Sequence, residues 1–130
     1  MIKSLKKVLF TVSLVVISVM ASAQTMDNIV ASLRAGNAAE LAQYFQPNVE
    51  ISLQENANSY SKPKAQQVLN EFFSKNTVRS FTVVHQGTSP EGAKFVIGTL
   101  ATTNQTYRVY LYAVNNSGKL YVRELRFEQQ

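Results

Sequence analysis

The apolar positions of this chain change period once, from a helical spacing to a two-residue one. Met26, Ile29, Val30 and Leu33 recur at three- and four-residue steps as far as Gly36, which predicts a helix stopped by a glycine. Asn37-Ala38-Ala39-Glu40 reads as the start of a second short helix, with Asn37 as N-cap and Glu40 completing a capping box. Leu41, Ala42, Tyr44 and Phe45 give its apolar face, and Pro47 closes it. Val49, Ile51 and Leu53 then alternate with Glu50, Ser52 and Gln54 as in a half-buried strand, and Glu55–Tyr60 reads as polar loop. Ser61 is placed to cap a third helix, with Pro63 in its first turn, where a missing N–H costs little. Ala65, Val68, Leu69, Phe72 and Phe73 form that helix's buried stripe, and Asn76 ends it.

From Val78 onward the period is two. It predicts strands over Val78–Gln86, Ala93–Thr102, Tyr107–Val114 and Lys119–Glu128, separated by turn-forming residues. Helices followed by an antiparallel meander give an α+β class, with N-terminal helices covering one face of a curved, mostly antiparallel sheet. Symmetric turns would set Gln86 opposite Ala93, Thr102 opposite Tyr107 and Val114 opposite Lys119. In that register Phe81, His85, Gly98, Leu100, Glu124 and Arg126 join the covered face. Arg108, Tyr110, Tyr112, Tyr121 and Arg123 share the uncovered one, with Tyr110 opposite Arg123 and Tyr112 opposite Tyr121. A bulge would exchange these faces, because side chains alternate with period two.

Residues 1–23 have the tripartite form of a secretory leader. Lys3, Lys6 and Lys7 precede the apolar run Val8–Met20, and Ala21-Ser22-Ala23 offers a small-x-small cleavage step. The run is shorter than the roughly 20 residues that span a bilayer. The expectation is therefore a cleaved leader, an exported periplasmic or extracellular protein without a stable membrane anchor, and one domain over residues 24–130. The formal charge of +5 shrinks with the leader, since residues 24–130 carry ten basic and eight acidic side chains. Lys62, Lys64, Lys75, Arg79, Arg108, Arg123 and Arg126 form no dense basic run, so nucleic acid is not an expected partner.

Composition narrows the chemistry further. The chain has 130 residues, no cysteine and a single histidine, which excludes disulfides, thiolate catalysis, thiolate zinc sites and multi-histidine metal centres. No Gly-rich phosphate loop, nucleophile elbow or calcium loop is present, and no cofactor or metal is expected.

The stretch Leu33–Phe45, followed by Pro47 and a strand, resembles the opening of the nuclear-transport-factor-2-like superfamily. More narrowly, residues 24–130 resemble a family of small exported bacterial proteins known as a domain of unknown function. That likeness rests on Tyr60-Ser61-Lys62, Val68-Leu69 with Phe72–Asn76, His85–Ser89, Gly92-Ala93, Ile97–Leu100, Tyr107–Tyr110 and Glu124–Arg126. The resemblance implies a cone-shaped α+β fold. It leaves function open, because the superfamily hosts isomerases, dehydratases, hydrolases, ligand binders and dimerisation modules on one scaffold.

Two sets of candidate residues follow. His85, Gly98, Glu124 and Arg126 are the candidate cavity set. His85 is the only side chain with an unperturbed pKa near neutrality, but as a base it needs an oriented partner. In the expected register Glu124 lies six residues away along the strands, about 20 Å, which forbids a shared proton. The structural alternative has His85 bonding the glycine-containing turn beside it. Glu124 and Arg126 either border a cavity or pair with charged neighbours. Gly98 admits a helix, a ligand or a bend. Arg108, Tyr110, Tyr112, Tyr121 and Arg123 are the candidate interface set, because Tyr and Arg are enriched where proteins meet and the superfamily often dimerises through this face. The alternative is a solvated face with cross-strand cation–π contacts. The favoured expectation is a non-catalytic exported module that forms a homodimer, or binds a protein partner or small apolar ligand. The other is a small lyase- or isomerase-like enzyme using Glu124. A chamber packed with Leu, Val and Phe favours the first, and an open pocket with converging polar groups favours the second.

Overall fold

The computed structural model describes residues 23–130. Of the expected leader, residues 1–23, all but Ala23 lie outside them. Helix α1 occupies 23–35, α2 Ala38–Ala42 and α3 Lys62–Lys75; the strands are β1 Phe45–Leu53, β2 Asn56–Ser61, β3 Val78–Thr88, β4 Lys94–Thr102, β5 Thr106–Asn116 and β6 Lys119–Gln129. The six strands form one sheet in the order β2-β1-β6-β5-β4-β3, antiparallel except for the β1–β6 pair. The α+β class is the one the periodicity predicts, and the order of helices and strands differs from the expected one by a single added strand, β2.

Local chemistry explains the helix boundaries. Gly36 has φ +63°, and α1 closes with Gly36 N donating to Leu33 O and Asn37 N to Ser32 O. That double bond pattern needs a left-handed residue after the helix. Asn37 serves two helices at once. Its backbone N–H caps α1, while its side chain accepts from Glu40 N at 3.0 Å to start α2. Ser61 does precede α3, but its hydroxyl makes no capping bond, and Lys62 and Pro63 form the first turn. Asn76 ends the helix: its side chain donates to Phe72 O and accepts from the Tyr107 hydroxyl, which ties α3 to β5.

Four sequence expectations are corrected. The second helix stops at Ala42 rather than at Pro47, and Phe45 and Pro47, read as its last apolar residue and its terminator, belong to β1. The segment read as a loop contains β2, an edge strand joined to β1 through a two-residue turn in which Gln54 has φ +62°. Its residues are exposed apart from the half-buried Tyr60, so no apolar period marks it; hydrogen bonding to β1 makes it a strand. The strands also run further into their turns than the apolar pattern does. Asn116 pairs with Lys119 across Ser117-Gly118, both at positive φ, the two-residue loop whose twist suits a hairpin. Most consequential are two bulges, one at Val84 between the Val83–Gly98 and His85–Ile97 pairs, the other at Arg123 between the Tyr112–Glu124 and Ala113–Val122 pairs. Each adds one residue to a strand and turns the remainder over.

The core lies between the inner sheet face and the helices. Ile29, Leu33, Leu41, Leu69, Leu100, Leu111, Leu125 and Phe127 are fully buried there. Phe72 of α3 packs its ring 4.7 Å from Phe127 and 5.2 Å from Tyr107, and Phe73 lies edge-on to Phe127. The buried polar residues Ser32, Ser52 and Thr102 each bond a backbone carbonyl, so polarity inside the fold is satisfied locally.

Candidate functional site

The inner chamber is filled rather than open. Phe81, Val96, Leu100, Val109, Leu111, Leu125 and Phe127 line the sheet side, all at most 3% exposed. Gly98 faces inward as expected, and the reason is a close approach from the neighbouring strand rather than a helix or a ligand. A Cβ on Gly98 would lie 2.5 Å from the Phe81 ring and 2.7 Å from the Thr82 carbonyl oxygen. The glycine gives Phe81 its seat.

The bulges move the other three candidate cavity residues to the outer face. His85 pairs with Ile97, Arg126 with Tyr110 and Glu124 with Tyr112. Leu125 and Phe127 point inward in place of Glu124 and Arg126, which spares the core two charges. His85 is exposed, and its ring lies 5.6 Å from that of Phe95 rather than against the turn. His85 and Glu124 now differ by only two residues along the strands. They still stand three strand spacings apart, about 14 Å, so the expected pair does not form.

The outer face has an ordered layout. Reading from β3 to β6, one row is His85, Ile97, Tyr110 and Arg126, and the next is Gly87, Phe95, Tyr112 and Glu124. A third is Thr82, Thr99, Arg108 and Glu128. Phe95 lies across the bare backbone of Gly87, where a Cβ would come within 2.5 Å of its ring. The Arg126 guanidinium bonds Glu124 at 3.0 Å, approaches Glu128 at 3.8 Å and sits 5.7 Å from the Tyr110 ring centre. Between these side chains runs an apolar groove of about 260 Å³, bordered by Phe95, Ile97, Tyr110, Tyr112, Glu124 and Arg126. Of the candidate interface residues, Tyr110 and Tyr112 border the groove and Arg108 lies one row away. Tyr121 pairs with Val114 near the β5–β6 turn, and Arg123 occupies the bulge. The structure thus joins Glu124 and Arg126 of one predicted set to Tyr110 and Tyr112 of the other. Tyr110 faces Arg126 instead of Arg123, and Tyr112 faces Glu124 instead of Tyr121.

Sequence reasoning missed a second concavity. Met26 and Asp27 of α1, with Gln86, Thr88 and Lys94 of β3 and β4, border an open groove of about 310 Å³ at the mouth of the cone. Gln86 enters it because the bulge at Val84 turns that end of β3 inward. Lys94 was legible: it shares parity with Val96, Gly98 and Leu100 on the covered face. Among the described residues, no group of three or more His, Asp or Glu is placed to hold a metal ion.

The match to known proteins covers nearly all of this architecture. Residues 26–128 match the model of a domain of unknown function, DUF4783. The chain belongs to the DUF4783 family. It is similar to a DUF4783 protein from Bacteroides uniformis at 30% identity, with 80% of this chain and 95% of that one covered and a TM-score of 0.76. A DUF4783 protein from Bacteroides ovatus is 33% identical over 79% of this chain and 93% of that one, again with a TM-score of 0.76. No curated protein matches the chain significantly. Beyond the family, an NTF-2 like protein of unknown function from Silicibacter pomeroyi has a TM-score of 0.60 at 8% identity, with 86% of this chain and 95% of that one covered. That last likeness is one of fold, and it places this DUF4783 chain on the cone scaffold that its opening helices suggested. The scaffold does not choose a chemistry.

Proposed function

We propose that this DUF4783 chain is an exported, non-catalytic binding module that pairs with a second copy of itself through the outer sheet face. The observation that carries the reading is the apolar groove there, walled by half-buried Phe95, Ile97, Tyr110 and Tyr112 while the chamber on the other side of the sheet is packed shut. Aromatic side chains of this kind supply interface area at low entropic cost. The charges around them have both signs, with Arg108, Arg123 and Arg126 beside Glu50, Glu124 and Glu128. Two copies facing each other therefore offer each charge an opposite partner. Export is supported by the leader motif, Lys3 to Ala23.

Sedimentation of the exported protein tests the pairing. Wild type should sediment as a dimer, and the Tyr110→Ser, Tyr112→Ser double variant should dissociate at least tenfold more easily, since central aromatic anchors contribute on the order of 2 kcal/mol each. Its monomer fold should survive because the opposite face supplies the core. A monomeric wild type, with the same proteins captured from envelope extract by wild type and variant, refutes the reading.

The mouth groove supports one competing reading, a small lyase- or isomerase-like enzyme, because Asp27 and Lys94 border it. That reading requires a small molecule bound beside Lys94. Mass spectrometry of ligands retained by the native protein, compared with those retained by Lys94→Ala, separates the two.

A further inference from the structure

We infer that the exported chain carries pyroglutamate at its N-terminus, formed from Gln24. The inference rests on leader cleavage after Ala21-Ser22-Ala23, which leaves Gln24 with a free α-amine. In an N-terminal glutamine the amine and the side-chain amide carbon are spaced to close a five-membered ring. The Gln24 amine attacks Cδ, so the Nα–Cδ bond forms and the Cδ–Nε2 bond breaks. A proton passes from Nα to Nε2, and ammonia leaves. The balance needs no oxidant, reductant or co-reactant.

The fold around Gln24 accommodates this step. Gln24 is exposed and lies two residues ahead of Met26, whose side chain is in the core. Its amide nitrogen donates to Asn28 Oδ1 at 3.1 Å in an exposed contact, where water replaces a lost partner. The N–H groups of a helix's first turn have no acceptor within the helix, so closing the ring on the Gln24 nitrogen breaks no bond of the α1 ladder. Charge favours the product as well. A free amine would place a full positive charge at the already positive end of α1, and the lactam is neutral. The carbonyl of Gln24 remains free to accept within the helix.

The experiment uses the full chain, exported through its own leader and purified from the cell envelope. Its N-terminal peptide should begin at position 24, weigh less than the free-glutamine peptide by one ammonia, and resist Edman degradation until treated with pyroglutamate aminopeptidase. Gln24→Ala, exported in the same way, should sequence directly. A peptide that begins at position 24 and keeps its free amine after incubation at neutral pH overturns the inference and leaves leader cleavage standing. A blocked terminus in Gln24→Ala also overturns it, since the block would then have another source. A peptide that begins elsewhere overturns cleavage at Ala23 and the inference together.

Discussion

Gly98→Ala tests whether the cone chamber is closed. If the glycine kept space for a ligand, a methyl group would be tolerated. In the structure that methyl would sit 2.5 Å from the Phe81 ring and 2.7 Å from the Thr82 carbonyl oxygen. The ring can tilt only against buried neighbours, and the carbonyl belongs to a paired strand. Overpacking of this kind costs about 1–3 kcal/mol. A backbone oxygen has to give way, which puts the cost at about 2–3 kcal/mol; the smaller backbone entropy lost by alanine returns roughly 0.5–1 kcal/mol, so a net loss of about 1–2 kcal/mol is expected. Phe81→Ala alone should cost about 3–5 kcal/mol, since Phe81 is 3% exposed. The double variant is the sharper measurement. With the ring gone two of the three nearest contacts disappear and the Thr82 carbonyl remains, and the two losses should fall short of additive by about 1 kcal/mol. Urea unfolding of the exported protein followed by circular dichroism reads all three. A Gly98→Ala midpoint equal to wild type, or strict additivity in the double variant, would refute the seat proposed for Phe81 and reopen the chamber.

Two other perturbations probe the helix layer. Phe72→Ala removes the ring that meets Phe127 at 4.7 Å and Tyr107 at 5.2 Å, and should destabilise the fold by about 3–5 kcal/mol; calorimetry showing a wild-type melt would make α3 peripheral. Asn37→Ala deletes the cap on Glu40 N and should cost about 1 kcal/mol, lowering the melting temperature by roughly 4–8 °C, with an unchanged melt refuting the capping role.

What the sequence determined by itself is whatever depends on neighbours along the chain. A helical apolar period, Gly36, Asn37 and Pro63 placed the helices, apart from the end of α2, which the apolar Tyr44 and Phe45 set too late. The later period of two placed β3 to β6 within a few residues. Gly98 was correctly assigned to the inner face even though the β4–β5 register is two residues from the symmetric one, because a shift of two preserves the facing of every side chain. Tertiary structure decided what depends on partners across the sheet. Asn56–Ser61 carries no apolar signal and is a strand because β1 pairs with it. The bulges at Val84 and Arg123 have no signature in local composition, yet each advances a strand by one residue and reverses its facing. His85, Glu124 and Arg126 consequently left the expected cavity, and Glu124 and Arg126 joined Tyr110 and Tyr112 around the outer groove. A strand's period says which residues travel together; only the hydrogen-bonded ladder, bulges included, says which side of the sheet they reach.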